Sequence, residues 1–94
     1  MSKIRKSARG KPCTVRIPGH CNFNPETTVL AHLPGGGMGR KRHDLHGAYA
    51  CSSCHDVLDG RKKTEFERGS LTLWHLEAVL ETQSILLEEG LIQV

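Results

Sequence analysis

Large aromatic anchors are nearly absent from this sequence: Phe23, Tyr49, Phe66 and Trp74 are the four among 94 residues. The core must therefore be mostly aliphatic. A chain of this length buries only a modest core, so an added staple is expected. Long apolar runs are also missing. None approaches the ~18 residues of a membrane span, which excludes a transmembrane helix. Between Met1 and Cys13 there are charges where a secretion signal would carry its apolar stretch. The expected location is the cytoplasm, where stable disulfides are rare and grouped cysteines read as metal ligands. The length allows one domain and not two.

Each end of the chain lacks one sign of charge. Residues 1–43 carry nine basic side chains against Glu26 alone, and residues 69–94 carry four glutamates with no Lys or Arg. The net charge of +3 hides this division. A basic front and an acidic back point one face at a polyanion, so nucleic acid is the expected partner and a membrane is not.

Local patterns give a coarse layout. Residues 1–11 read as a flexible basic arm. Cys13–Ile17 has short strand character, Pro18–Glu26 is a turn cluster, and Thr27–Leu33 reads as a second strand. Together they predict an antiparallel hairpin whose loop carries Cys21. Pro34–Arg42, with four glycines, is expected to be a mobile basic loop. Asp44 is a candidate N-cap for a helix through about Asp59, stopped by Gly60. Arg61–Gly69 is a charged connector. Ser70 is expected to cap a helix over Leu71–Glu89, closed by Gly90. Leu73, Leu76, Leu80 and Leu87 line one stripe of that helix, widened by Trp74, Ala78, Ile85 and Leu86. The stripe is read as core, with room for a partner subunit on its far side and hence a homodimer through the C-terminal helix.

The cysteines form two pairs, Cys13-x7-Cys21 and Cys51-x2-Cys54. Two such pairs can converge on one tetrahedral zinc ion with four thiolates, tying the hairpin to the helix. Cys51-Ser52-Ser53-Cys54-His55 also matches the c-type haem attachment pattern. Haem attachment normally follows export, however, and it would leave Cys13 and Cys21 without a role. A thioredoxin-like redox pair needs a strand before Cys51 in a βαβ unit, and none is predicted. Among the six histidines, His20, His43, His46 and His75 read as loop, loop, helix start and helix surface. His32 stands at the end of the second strand. His55 follows the second cysteine pair and shares a helical face with Asp59, a spacing that can hold a divalent metal.

The order of these features is specific. A cysteine pair precedes a strand ending in Ala31-His32; a glycine loop, Asp44-Leu45 and Ala50-Cys51-Ser52-Ser53-Cys54-His55 follow. It resembles the zinc-containing HNH endonucleases, the ββα-metal or His-Me finger group. Over nearly its full length the chain is similar to the YbcO family of prophage-encoded proteins assigned as nucleases. Ala8-Arg9-Gly10, Val15-Arg16-Ile17-Pro18-Gly19, Leu30-Ala31-His32 and Cys54-His55-Asp56 carry that likeness.

The resemblance implies an α+β fold: a zinc-stapled ββα-metal core over 13–60, with a basic arm over 1–12. Residues 61–94 add a connector and a packing helix. It also implies a metal-dependent DNA endonuclease in a bacterial host cell. His32 would be the general base, Asp44 would stand where the family usually has Asn, and His55 would bind a catalytic divalent ion such as Mg²⁺. Cys13, Cys21, Cys51 and Cys54 would hold structural Zn²⁺. The family often has a metal-binding Asp where Ala31 stands, so Asp59, with Asp56 in reserve, is the expected second ligand. Lys3, Arg5, Lys6, Arg9, Arg40, Lys41 and Arg42 would contact phosphates. The competing expectation, favoured by Ala31 and Asp44, is a non-catalytic zinc module that binds nucleic acid or a protein partner.

Overall fold

The computed structural model describes residues 3–33 and 43–93. The glycine segment 34–42, and with it Arg40, Lys41 and Arg42, lies outside the described residues. Val29–His32 forms strand β1 and Gly47–Ala50 forms strand β2, which pair antiparallel with Leu30 opposite Tyr49 and His32 opposite Gly47. The sheet has small residues on one face, where Ala31, Ala48 and Ala50 are buried with Val57, Leu71, Ala78 and Val79. On the other face Leu30 and Tyr49 pack with Ala8 and Leu86. This is the period-two alternation of a strand buried on both sides. Gly47 leaves the space that Leu30 fills, since a Cβ there would lie 2.6 Å from the Leu30 Cγ.

The hairpin is thus not the expected one. Cys13–Ile17 is no strand. Thr14 donates its N–H to the Tyr49 carbonyl at 2.8 Å, and then Arg16 turns left-handed at φ 48°. That turn aims the Arg16 N–H at the Cys13 sulfur, 3.4 Å away, so the needs of the sulfur override the β-propensity of Thr-Val-Arg-Ile. The helix predicted over Asp44–Asp59 breaks into three pieces. Asp44–His46 is a single 3₁₀ turn, Gly47–Ala50 is β2, and Ser52–Leu58 is helix α2. The basic stretch read as a flexible arm contains a short helix, α1, over Lys3–Ser7. It is anchored where the Tyr49 hydroxyl meets Ser7 Oγ at 2.8 Å and where Ile4 and Ala8 join the Tyr49 cluster. We number the elements α1, β1, β2, α2 and α3 in chain order.

Helix α3 spans Arg68–Glu88, starting one turn before the expected Ser70 cap; Glu67 is its N-cap and makes no side-chain capping bond. It stops where expected. Gly90, at φ 74°, lets its own N–H reach Leu87 O and the Leu91 N–H reach Leu86 O. The buried face is Leu71, His75, Ala78, Val79, Thr82 and Leu86. The stripe read as core is therefore correct only at its widened edge: Ala78 and Leu86 are buried, whereas Leu73, Leu76, Leu80 and Leu87 are exposed. The small residues of β2 let α3 sit close to backbone, and its two buried polar side chains answer backbone groups there. Thr82 Oγ1 accepts from Tyr49 N at 3.0 Å, and His75 Nε2 donates to Ala31 O at 2.7 Å. Thr14 and Thr82 together cover the outer edge of β2, which would otherwise present unpaired groups. Among the described residues, no helix is long and apolar enough to cross a membrane.

Candidate metal centre and histidine site

The two cysteine pairs converge. The four sulfurs lie within 4.8 Å of one another and could hold a metal ion. Cys13 and Cys21 come from the loop before β1. Cys51 is the N-cap of α2, and Cys54 lies in its first turn. The Cys21–Cys51 sulfur separation of 3.8 Å equals the ~3.8 Å edge of a tetrahedron with four thiolates ~2.3 Å from one zinc ion. Backbone N–H groups also aim at the sulfurs: Arg16 at Cys13, Ile17 at Cys54, and Asn22 and Cys54 at Cys51, each at 3.4 Å. Such donors favour thiolate over thiol. The Cys13 thiol is held down to about 4, first by its hydrogen bond with Cys54 and then by backbone N–H groups. Cys54 is raised, first by that same bond and then by burial. Burial pushes Cys21 up to about 11. One sulfur accepts charge readily, while Cys21 and Cys54 resist it until a cation joins them.

His32 ends β1, and Asp44 opens the 3₁₀ turn that leads into β2. Strand pairing therefore sets them side by side, with His32 Nε2 2.7 Å from Asp44 Oδ1. Both side chains are mostly sheltered, at 20% and 19% exposure. The carboxylate accepts from Nε2–H, which leaves the lone pair on Nδ1. Asp44 also lies 3.6 Å from the Arg5 guanidinium. The expected base and its partner are thus adjacent.

On α2, His55 Nε2 is 3.3 Å from Asp59 Oδ2, one helical turn on. Arg61, assigned above only to a connector, joins this pair. Its guanidinium lies 2.6 Å from Asp59 Oδ2 and 3.4 Å from His55 Nδ1, and its Nε lies 3.4 Å from Asp56 Oδ1. Both candidate carboxylates therefore share one arginine. The cysteine set is the only group of three or more potential metal ligands among the described residues. His55 and Asp59 offer two donors, not three.

Sequence reasoning missed His75, which was read as a surface residue. The ring is 2% exposed and holds the carbonyl of Ala31, the residue before His32. One signal pointed to it: His75 shares a helical face with Leu71, Ala78, Val79, Thr82 and Leu86. Burial pushes its pKa down, while the bond to Ala31 and the charge of Asp59 oppose that and the charges of His55 and His32 reinforce it. The buried ring is therefore within electrostatic reach of both halves of the candidate site. A lowered folded pKa means that the unfolded chain binds the proton more tightly. Stability from a neutral His75 is complete above pH ~6.5 and is lost as the pH falls below it. Between pH 7.5 and 5.5, the melting temperature of His75→Gln should fall less steeply than that of the wild type. Equal slopes would contradict this.

Arg5, Lys6 and Arg9 line an open cleft of about 530 Å³ between α1 and β1, with Glu26, Thr28, Val29 and Leu30 on its other walls. Lys3 lies on α1 with Arg5 and Lys6. The cleft adjoins the Asp44 side of the histidine site through Arg5.

The family described as "Putative nuclease YbcO" matches residues 2–91. Proteins of that name from Escherichia coli strain K12 and from Enterobacteria phage 82 are each 47% identical over 97 residues, covering 99% of this chain and 99% of the relative. A solved structure titled "Structure of a putative bacteriophage protein from Escherichia coli str. K-12 substr. MG1655" superposes with a TM-score of 0.80 at 49% identity. The match covers 94% of this chain and all of that one.

Proposed function

This chain belongs to the YbcO family, and from that premise we propose that it is a metal-dependent DNA endonuclease of the HNH, or His-Me finger, type. The observation that carries the proposal is the 2.7 Å bond between His32 Nε2 and Asp44 Oδ1 at the end of β1. The succession β1, β2, α2, with His32 on the first strand and His55 on the helix, supports the ββα reading. The four clustered cysteines would hold Zn²⁺ as a structural ion, joining the loop before β1 to the start of α2.

In this reading His32 takes a proton from water through Nδ1, and the resulting hydroxide attacks a backbone phosphorus. Asp44 fixes the tautomer by accepting from Nε2–H and steadies the imidazolium that forms. Asp44 thus serves where Asn is usual, because accepting a hydrogen bond is what this ring needs. A divalent ion such as Mg²⁺, when bound, supplies stabilisation of the phosphate charge and the leaving oxygen. His55 and Asp59 would hold it. Their 3.3 Å donor separation suits two ligands at ~2.1 Å from one ion. Arg61 would have to release Asp59. Arg5, Lys6 and Arg9 would grip phosphates along the cleft beside β1, with Lys3 on the same helix. Arg40, Lys41 and Arg42, outside the described residues, would be further phosphate contacts. His75 acts as a positioning residue, pinning the carbonyl next to His32.

A second reading is favoured by one observation, the Arg61 contact that already neutralises Asp59. Under it the protein is a zinc module that binds nucleic acid or protein without cutting. Incubation with supercoiled plasmid separates the two. The nuclease reading expects nicked product with Mg²⁺ or Mn²⁺ and none after EDTA. Intact plasmid in both would leave the binding module.

A further inference from the structure

We propose that α3 pairs with α3 of a second copy of this chain, antiparallel, about a twofold axis at Leu80. Leu73, Leu76, Leu80 and Leu87 are between 42% and 59% exposed and stand on the side of α3 turned away from the sheet. They are four of the chain's eleven leucines. Leucines at 73, 80 and 87 repeat every seven residues, with Leu76 between the first two, which is the spacing of a seam between two helices. Single exposed leucines need no explanation, whereas a continuous line of them marks an interaction surface.

The spacing and the charges select the occupant. With Leu80 facing Leu80 of the partner copy in antiparallel register, Leu73 meets Leu87 and Leu76 meets Ser84, so the stripe is complementary to itself. A parallel pair would align the two helix dipoles and bring the two Glu88–Glu89 ends together, on a helix with no Lys or Arg after Arg68. Antiparallel pairing instead sets Glu77 opposite Gln83 and Glu88 opposite Thr72. It also brings the Arg68 end of each helix toward Glu88 of the other, Glu89 being engaged by Lys11 at 2.6 Å, and it opposes the two helix dipoles. Glu81 is already engaged at the flank by Arg16, at 3.2 Å. A twofold axis gives a closed pair and leaves no sticky end. The proposal goes beyond the nuclease reading and does not depend on it.

Sedimentation equilibrium of the zinc-loaded full chain should give twice the 10.4 kDa protomer mass. Leu80→Glu should halve that mass while keeping the circular dichroism spectrum and the bound metal. A wild type that stays monomeric up to about 100 μM, where even a weak specific pair would form, overturns the proposal. A Leu80→Glu chain that stays dimeric also overturns it. Register is read by cross-linking under mild oxidation with the wild type as control. Leu80→Cys should give a covalent dimer and Leu73→Cys should not. Equal cross-linking of both indicates parallel pairing and overturns the antiparallel seam.

Discussion

Replacing Cys54 with serine should release the metal and unfold the chain. Cys54 is fully buried, receives the Ile17 N–H and lies within 4.8 Å of the other three sulfurs. Serine supplies a poor ligand there and leaves three sulfurs. Structural zinc contributes of order 10 kcal/mol to small domains, whereas total stability at this length is about 5–14 kcal/mol. Losing the ion therefore removes most or all of the folding free energy. The loss should be global. The cysteines join the loop before β1 to α2, and they sit in the same apolar cluster as Ala48, Val57, Leu71 and Val79. Metal analysis should find one zinc per wild-type chain. Circular dichroism should show a cooperative melt for the wild type and none for Cys54→Ser. A metal-free wild type, together with a Cys54→Ser chain that still melts cooperatively, would remove the staple from the account.

Replacing His32 with alanine should abolish cleavage and leave the fold. General-base catalysis contributes about 10²- to 10⁴-fold, so the nicking rate should fall by that factor. The ring is partly exposed and bonds to Asp44, which still has Arg5 3.6 Å away. The melt should therefore shift little, and zinc content should be unchanged. DNA affinity, which the proposal assigns to the basic residues of α1 and their neighbours, should also hold in a gel-shift assay. If His32→Ala instead lowers the melting temperature sharply, and the wild type does not cut, His32 is a packing residue of a binding module.

How far these features could be read in advance depended on the interaction that fixes each. The cysteine cluster was legible because Cys-x2-Cys at a helix start has few other uses. β1 was legible within Thr27–Leu33, although the strand itself spans only Val29–His32 and Thr27 closes a 3₁₀ turn. β2 was not, because Gly-Ala-Tyr-Ala has weak strand preference and becomes a strand only between β1 and α3. The end of α3 could be read from Gly90, but its start at Arg68, a turn before Ser70, and its inner face could not. Both faces are apolar, and the choice was made by His75 and Thr82 finding backbone partners that no one-dimensional pattern reveals. Cys13–Ile17 failed as a strand for a similar reason, since a left-handed Arg16 serves the sulfur. The neighbours of His32 and His55 were legible in part. Asp44 lies beside His32 and Asp59 beside His55, while Arg61 emerged only from the folded chain and the burial of His75 was overlooked in its helical pattern.

The nicking rate of zinc-loaded wild type and of His32→Ala, on one batch of supercoiled plasmid with Mg²⁺, weighs the central claim most directly. The account predicts nicked circles from the wild type and a rate at least about a hundredfold lower from the variant. Equal rates from the two proteins would mean that His32 is not the base and that the cutting comes from elsewhere.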